Sequence, residues 1–386
     1  MKRLLLPALL LTILTACTAA PAGTLPAAAP TPTPASTPAP TAAPAPADAL
    51  TPEEKIGQLF IIRPDALDLT LSQETINDAK ADGVTMLTDA MRETLQAYPV
   101  GGICQFGKNI TDPEQLAQFN ADLQAASRTP LFIAVDEEGG AVARLANHPA
   151  FDLPQYESAA AVGASGDPAD ACAMGQTIGA YLKEYGFNMD FAPDADVNTN
   201  PDNPIIGTRA FSSDAASAAA ADGLRTSGIL PTLKHFPGHG DTAEDSHTAL
   251  AVTYKTLDEL QACELLPFAA DTGLHAVMVG HIAAPNVTGD DTPATLSPQL
   301  VALIPDAENT LIVTDSLAMD AITAAYTPGE AAVQALQAGC DVLLMPNSLP
   351  EAYAAVLEAV QNGTISEERL DRSVNKILLY KQQFAS

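Results

Sequence analysis

With 386 residues and 47% hydrophobic content the chain can bury a large core, and 47 Asp and Glu against 18 Lys and Arg leave a formal net charge of −29. That charge argues against nucleic acid or an anionic lipid surface as a partner, because long-range repulsion opposes both. The cysteines, Cys17, Cys104, Cys172, Cys263 and Cys340, fit no zinc-binding spacing.

In chain order, residues 1–16 open with Lys2 and Arg3, continue through the apolar run Leu4 to Leu14, and end in Thr15-Ala16. This is the pattern of an export signal, and the run is too short to span a bilayer comfortably as a permanent helix. Leu14-Thr15-Ala16-Cys17 resembles the bacterial lipoprotein processing box. The resemblance implies a mature protein that begins at a lipidated Cys17, held on the outer face of the cell membrane without spanning it. The competing reading is a plain signal peptide followed by an incidental cysteine. Residues 17–49 are nearly all Ala, Pro and Thr. They have no hydrophobic periodicity and favour extended backbone, so a solvated tether is expected.

From Thr51 onward, short apolar runs alternate with longer segments rich in Ala, Leu, Gln and Glu, the rhythm of βαβ units. Strands are expected at Leu59 to Ile62, Val100 to Phe106, Leu131 to Val135, Phe187 to Phe191, Leu230 to Leu233, Ala276 to Val279, Leu311 to Thr314 and Val342 to Met345. Helices are expected at Pro113 to Ser127, Pro168 to Tyr185, Ala215 to Thr226, Leu257 to Thr272, Pro328 to Ala338, Leu349 to Asn362 and Glu367 to Phe384. In the last of these, Glu367, Arg369 and Lys376 are spaced as on an exposed face. Eight such strands and no GxGxxG turn favour a (β/α)8 TIM-type barrel over residues 50–386, a single catalytic domain, rather than an open doubly wound sheet. Cys104 and Cys340, in strand-like runs, are expected to be buried thiols. Export would permit a disulfide, although sequence cannot pair the cysteines.

Polar residues gather just past these strands: Asp136 to Gly140, Asp194 to Asn200, Lys234-His235, His281 and Asp315. In a barrel all these positions surround one mouth. The densest cluster is Lys234-His235-Phe236-Pro237-Gly238-His239-Gly240, read as a loop directly after an apolar strand, with Asp245-Ser246-His247 close behind. His235 and His239 stand four apart, yet Pro237, Gly238 and Gly240 prevent a helical zinc pair, and no catalytic metal is expected. His281 either lines the mouth or is a satisfied structural histidine.

The segment KHFPGHGDTAEDSH (234–247) resembles a signature of glycoside hydrolase family 3, in its β-N-acetylglucosaminidase branch. VDEEGGAVARL (135–145), IGTRAF (206–211) and VTDSLAM (313–319) resemble further segments of that family, so the similarity extends over the whole barrel. It implies Asp315 as nucleophile, His247 as acid/base supported by Asp245, and Asp136, Arg144, Arg209, Lys234 and His235 as groups that hydrogen-bond the terminal sugar. Retaining glycoside cleavage needs such a pair, one group to attack the anomeric carbon and one to protonate the departing oxygen. An imidazole with an intrinsic pKa near 6.5 suits a proton moved both ways. Bland alternatives exist: Asp315 as a helix cap, the Asp245 to His247 stretch as a solvated loop, and Arg144, half a turn into a helix, as a surface ion-pair partner.

Relatives acting on glucosides recruit a carboxylate acid from a further domain; this chain is read as ending with its barrel, so the implied acid is His247. The expected activity is an exo-acting β-N-acetylglucosaminidase on peptidoglycan- or chitin-derived fragments, a monomer needing no cofactor and touching the membrane only through its lipid. A phosphorylase using the same site, since histidine tolerates an incoming phosphate better than a carboxylate would, and a non-catalytic sugar-binding lipoprotein remain as alternatives.

Overall fold

The computed structural model describes residues 46–246, 249–271 and 273–385. The export signal, Cys17, the tether through residue 45 and His247 lie outside these described residues.

Eight short strands, buried along their whole length, are the apolar runs of the sequence: β1 Phe60–Ile62, β2 Gly102–Cys104, β3 Phe132–Val135, β4 Met189–Asp190, β5 Leu230–Phe236, β6 Ala276–Val279, β7 Leu311–Thr314 and β8 Leu343–Leu344. Each pairs in parallel with its neighbour, and β1 pairs with β8 through Phe60↔Leu343. A parallel bridge from Val313 to Val342 joins β7 to β8 and closes the circuit. Parallel strands covered on both faces read as continuous Val, Ile and Leu rather than as alternating patterns, which is why these runs were visible in the sequence.

The surrounding helices start where the sequence supplies caps. Asp112, Asp167, Ser213, Thr327 and Ser366 each accept a backbone N–H from the first turn of the helix that follows, and Pro113, Pro168 and Pro328 open three of those helices. Cys104 and Cys340 are buried free thiols, as expected; Cys172 and Cys263 are also free.

Three expectations need correction. The fifth strand does not stop at Leu233 but runs through Phe236, all seven residues buried, with a register shift against β6 between Leu233 and Phe236. Lys234 and His235 are therefore strand residues rather than loop residues. A bulge lets pairing continue across polar side chains that find partners inside the barrel mouth.

The helix expected over Leu257 to Thr272 breaks into Leu257–Ala262 and Leu266–Ala270. Cys263 leaves helical geometry (φ −143°, ψ −76°), and the following Glu264 is fully buried, where Lys255 meets it.

The face of helix Glu367–Phe384 that carries Arg369 and Lys376 is not exposed. Arg369 donates to the carbonyls of Leu336 and Cys340, at 3.1 and 2.6 Å. Lys376 Nζ donates to Asp341 Oδ2 (2.7 Å) and to the carbonyls of Ala307 and Thr310 (2.9 Å each). Spacing alone could not identify this, because an inward cation becomes favourable only where a carboxylate and open carbonyls await it.

On the same helix, Lys381 is 2% exposed, donates to Gln58 Oε1 at 2.6 Å and lies 5.3 Å from the centre of the Phe132 ring. Burial lowers its pKa from 10.5 to about 7. Between these values the unfolded chain holds the proton and the folded chain does not, so this group makes stability rise with pH. The unfolding free energy of the wild type minus that of Lys381→Met should increase between pH 7 and 10 by up to about 1.4 kcal/mol per pH unit. Denaturant titrations at pH 7, 8 and 9 check this; a pH-independent difference would show that the amine does not titrate there.

Candidate active site

At the C-terminal ends of the strands a cavity of about 550 Å³ opens. Asp136, Arg144, Arg209, Lys234, His235 and Asp315 all line it, drawn from segments after β3, β4 and β7 and from β5 itself. Its remaining walls include Arg63, Phe106, Phe191, Met278, Met319 and Met345. The lining thus mixes ionic groups with apolar side chains.

The ionic groups form a continuous network. Lys234 Nζ lies 2.8 Å from Asp136 Oδ1 and 2.6 Å from Glu138 Oε1. Arg209 grips Glu138 with two parallel bonds, Nε to Oε2 at 2.9 Å and Nη2 to Oε1 at 2.8 Å. Arg144 Nη2 stands 3.6 Å from Asp136 Oδ2. Fork-to-fork pairing of this kind fixes orientation as well as charge.

Burial alone would raise the pKa of Glu138, but Lys234 and Arg209 outweigh it and bring the group down to about 2. For Asp136, likewise, burial is outweighed by Lys234 and Arg144, and the net direction is down. In return, Lys234 and Arg209 are held above their ordinary values against the opposing effect of burial. The network is therefore fully charged near neutral pH.

Glu137, beside it, has another task. Its carboxylate accepts N–H bonds from Leu145 and Ala146 and the hydroxyl of Tyr181, all at 2.9 Å. These bonds fold back the turn that carries Arg144. Arg144 accordingly lies in a turn after the short strand Val142–Ala143 and not within a helix, which corrects the expectation. Its ion pair is with Asp136 inside the cavity.

His235 donates Nδ1–H to Asp196 Oδ2 at 2.7 Å, which leaves Nε2 to meet a ligand. Asp196 also accepts the backbone N–H groups of His235 (3.2 Å) and His239 (2.5 Å). Burial raises the pKa of Asp196, but the hydrogen bond from His235 and the bonds from the backbone outweigh it, and the net direction is down. Asp194 moves the opposite way, pushed well up by burial and by Asp196.

Asp194, Asp196 and His235 offer ligand atoms within 4.8 Å of one another, the only such group among the described residues. A metal ion there would have to displace the N–H bonds already made to Asp196, and Arg209 Nε lies 3.6 Å from Asp194 Oδ2. The donor set suits a divalent ion; the adjacent cations do not.

Asp315 follows β7 directly. Its backbone N–H donates to Val279 O at 2.9 Å, and its Oδ1 accepts the N–H of Ser316 at 2.7 Å. The next helix begins only at Asp320 with Met319 as its N-cap, so Asp315 does not cap it. Behind it, fully buried His281 donates Nε2–H to Ser316 O (2.8 Å) and bonds Thr295 Oγ1 through Nδ1 (2.8 Å). His281 is thus the structural histidine of the two readings given for it.

Asp245 is half-buried and is not part of the cavity lining, whereas its neighbour Ser246 is. His247, expected opposite Asp315, lies outside the described residues. Sequence reading assigned no role to Glu138, Asp196, Arg63 or His239. Period-two alternation was the available signal for Glu138: in the strand Glu137–Gly139 one glutamate faces the turn and the next faces the cations. Nothing local singles out Arg63, which lines the cavity with its guanidinium 4.3 Å from the centre of the Phe106 ring.

Comparison with known proteins gives a consistent result. Residues 51–379 match the family described as the glycosyl hydrolase family 3 N-terminal domain. The chain is 32% identical over 347 residues to beta-hexosaminidase A of Pseudoalteromonas piscicida, covering 80% of this chain but only 58% of that relative. It is 31% identical over 366 residues to beta-hexosaminidase LpqI of Mycobacterium tuberculosis, covering 86% of this chain and 83% of the relative. A solved family 3 beta-N-acetylglucosaminidase from Paenibacillus sp. str. FPU-7 superposes with a TM-score of 0.76 and 37% identity, over 87% of this chain and 63% of that one.

The ionic network sets an acid limit. Glu138 has a folded pKa of about 2 against an ordinary 4.5, so its contribution is complete above pH 4.5 and is lost as pH falls through about 2. Glu138→Gln should cost about 3 kcal/mol at pH 7, with the deficit against wild type shrinking below pH 4.5. Chemical denaturation at pH 7, 4 and 3 tests both halves; a deficit that stays constant would refute the assignment.

Proposed function

The chain belongs to glycosyl hydrolase family 3, and on that premise we propose that it is an exo-acting, retaining β-N-acetylglucosaminidase releasing terminal N-acetylglucosamine from peptidoglycan- or chitin-derived glycans. Asp315 attacks the anomeric carbon and forms a glycosyl ester as the bond to the departing oxygen breaks. His247, oriented by Asp245, gives that oxygen its proton and afterwards takes one from the water that cleaves the ester.

The observation that carries this reading is the single chamber in which Asp315 shares walls with Asp136, Arg144, Arg209, Lys234 and His235. A pyranose presents hydroxyls around its ring, and fixed ionised donors and acceptors bond them strongly and directionally. The network Asp136–Lys234–Glu138–Arg209 is assembled before substrate arrives, so little reorganisation is needed on binding. The names of the curated relatives and of the Paenibacillus structure favour N-acetylhexosamine as the sugar.

The sequence of the N-terminal residues supports a lipid-anchored, exported enzyme tethered to the outer face of the membrane through Cys17. Among the described residues no helix is long and apolar enough to cross a membrane.

The reading is tested by trapping. A slow fluorinated N-acetylglucosaminide should label Asp315, located by mass spectrometry of the peptides, and Asp315→Ala should lower kcat on the order of 10⁴-fold or more with the fold retained. A label on another residue would remove Asp315 from its role. Release of sugar 1-phosphate when phosphate is added would redirect the reaction to phosphorolysis. Cys17→Ser should shift the enzyme from the membrane fraction to the soluble fraction; unchanged fractionation would dismiss the anchor.

A further inference from the structure

We propose that Arg63 binds an oxyanion, a carboxylate or a phosphate, carried by the substrate, so that the site selects charged glycans over neutral chitin-type chains. The inference rests on the glycosidase reading above and adds to it the class of glycan.

Arg63 follows β1 directly, in extended backbone (φ −70°, ψ 145°), and lines the cavity. Phe106, past β2, and Arg144, past β3, are its neighbours. Arg63 Cζ lies 4.3 Å and Arg144 Cζ 5.9 Å from the centre of the Phe106 ring. Three adjacent strands thus bring two guanidinium groups to one aromatic ring. A cation–π contact restrains a guanidinium yet consumes none of its N–H donors.

The charge of the lining is opposite in sign to that of the chain. Five cations, Arg63, Lys108, Arg144, Arg209 and Lys234, line the cavity against three carboxylates, Asp136, Glu138 and Asp315. Over the whole chain, acidic residues outnumber basic ones by 47 to 18. Lys108 pairs with Asp65, outside the lining, at 3.5 Å, and Arg144, Arg209 and Lys234 pair with Asp136 and Glu138. Arg63 is left over: among the described residues no carboxylate oxygen lies within 4.0 Å of its side-chain nitrogens.

Its donors are open as well. Nη1 reaches the carbonyl of Ile76 only at 3.5 Å, longer than an ordinary N–H···O bond, and Nε is buried without a partner. Arg144 Nε is likewise buried without a partner. Burial above all, with Arg144, lowers the pKa of Arg63 against the acidic groups around it, although a guanidinium stays charged at neutral pH. A desolvated cation with a like charge nearby is costly until an anion arrives, and a carboxylate or phosphate fits the guanidinium fork with two parallel bonds.

A guanidinium kept only to stack on Phe106 would occupy the same place, so the test must read the charge of the substrate. Two matched pairs of substrates are compared by kcat/KM. The first is N-acetylglucosamine linked to a sugar with a lactyl carboxylate, as in peptidoglycan, and the methylamide of that carboxylate. The second is nitrophenyl β-N-acetylglucosaminide with and without a phosphate on its primary hydroxyl. The pairs distinguish an anion on the departing sugar from one on the sugar released.

In wild type we expect the anionic member of one pair to be favoured roughly 10- to 100-fold, the worth of hydrogen bonds to a charged group. Arg63→Met should bring that ratio to within about threefold of unity, and Arg63→Lys, which keeps the charge but not the fork, should leave it in between. Because ratios are read, a general loss of activity cancels. Thermal melting checks that each variant folds, and the wild-type preference is measured without any variant. Equal turnover within both pairs by wild type, or a ratio that Arg63→Met does not move, overturns the inference. If wild type cleaves none of these substrates, the neutral ones included, the glycosidase reading fails first and takes the inference with it.

Discussion

The bidentate pair between Glu138 and Arg209, with Lys234 bridging to Asp136, is the constraint on which the site depends. It ties the segment after β3 to β5 and to the turn after β4 in one network of charge. Two carboxylates and two cations share the cost of leaving water, and removing any one would strand the others. The cavity therefore holds charged groups at positions fixed by one another.

The extension of β5 follows from the same need. A strand that ended at Leu233 would leave Lys234 and His235 on a loop with more rotamers to lose on binding. By continuing the ladder through a bulge, the barrel turns Lys234 into the carboxylate pair and His235 onto Asp196. Asp196 then serves twice, accepting from His235 on one oxygen and from the backbone of His239 on the other. His235 and His239 both line the cavity, His235 bonded through its ring to Asp196 and His239 through its ring to Thr242 and Ser246. At the opposite end of the barrel, Lys376 and Arg369 close carbonyls and a carboxylate that the strand starts leave open. Charge is thus buried at both ends of the barrel, at the mouth around the cavity and at the base against the strand starts.

All eight barrel strands were legible because parallel strands covered on both faces need apolar side chains throughout, and their punctuation by Gly, Pro and Asp is equally local. Helix starts were legible for the same reason, as with Asp112-Pro113 and Thr327-Pro328, where cap and first residue are adjacent. Asp136, Arg144, Arg209, Lys234, His235 and Asp315 could be singled out as polar residues just beyond apolar runs. Their companions could not. Glu138 and Glu137 are chemically identical neighbours, and only the direction of the short strand sends one to the cations and the other to the Arg144 turn.

Composition, the (β/α)8 rhythm and the roll of ionisable groups at strand ends are properties of short windows of chain, so the residues alone determined them. Which of those groups pair was decided by the closed barrel, because the partners lie far apart in sequence: Arg209 and Glu138 are separated by 71 positions, Lys234 and Asp136 by 98. Burial set the pKa directions in the same way: two cations outweigh it at Glu138 and bring the group down, whereas at Asp194 burial and the neighbouring Asp196 push the group up, and that distinction exists only once the strands have brought these neighbours together.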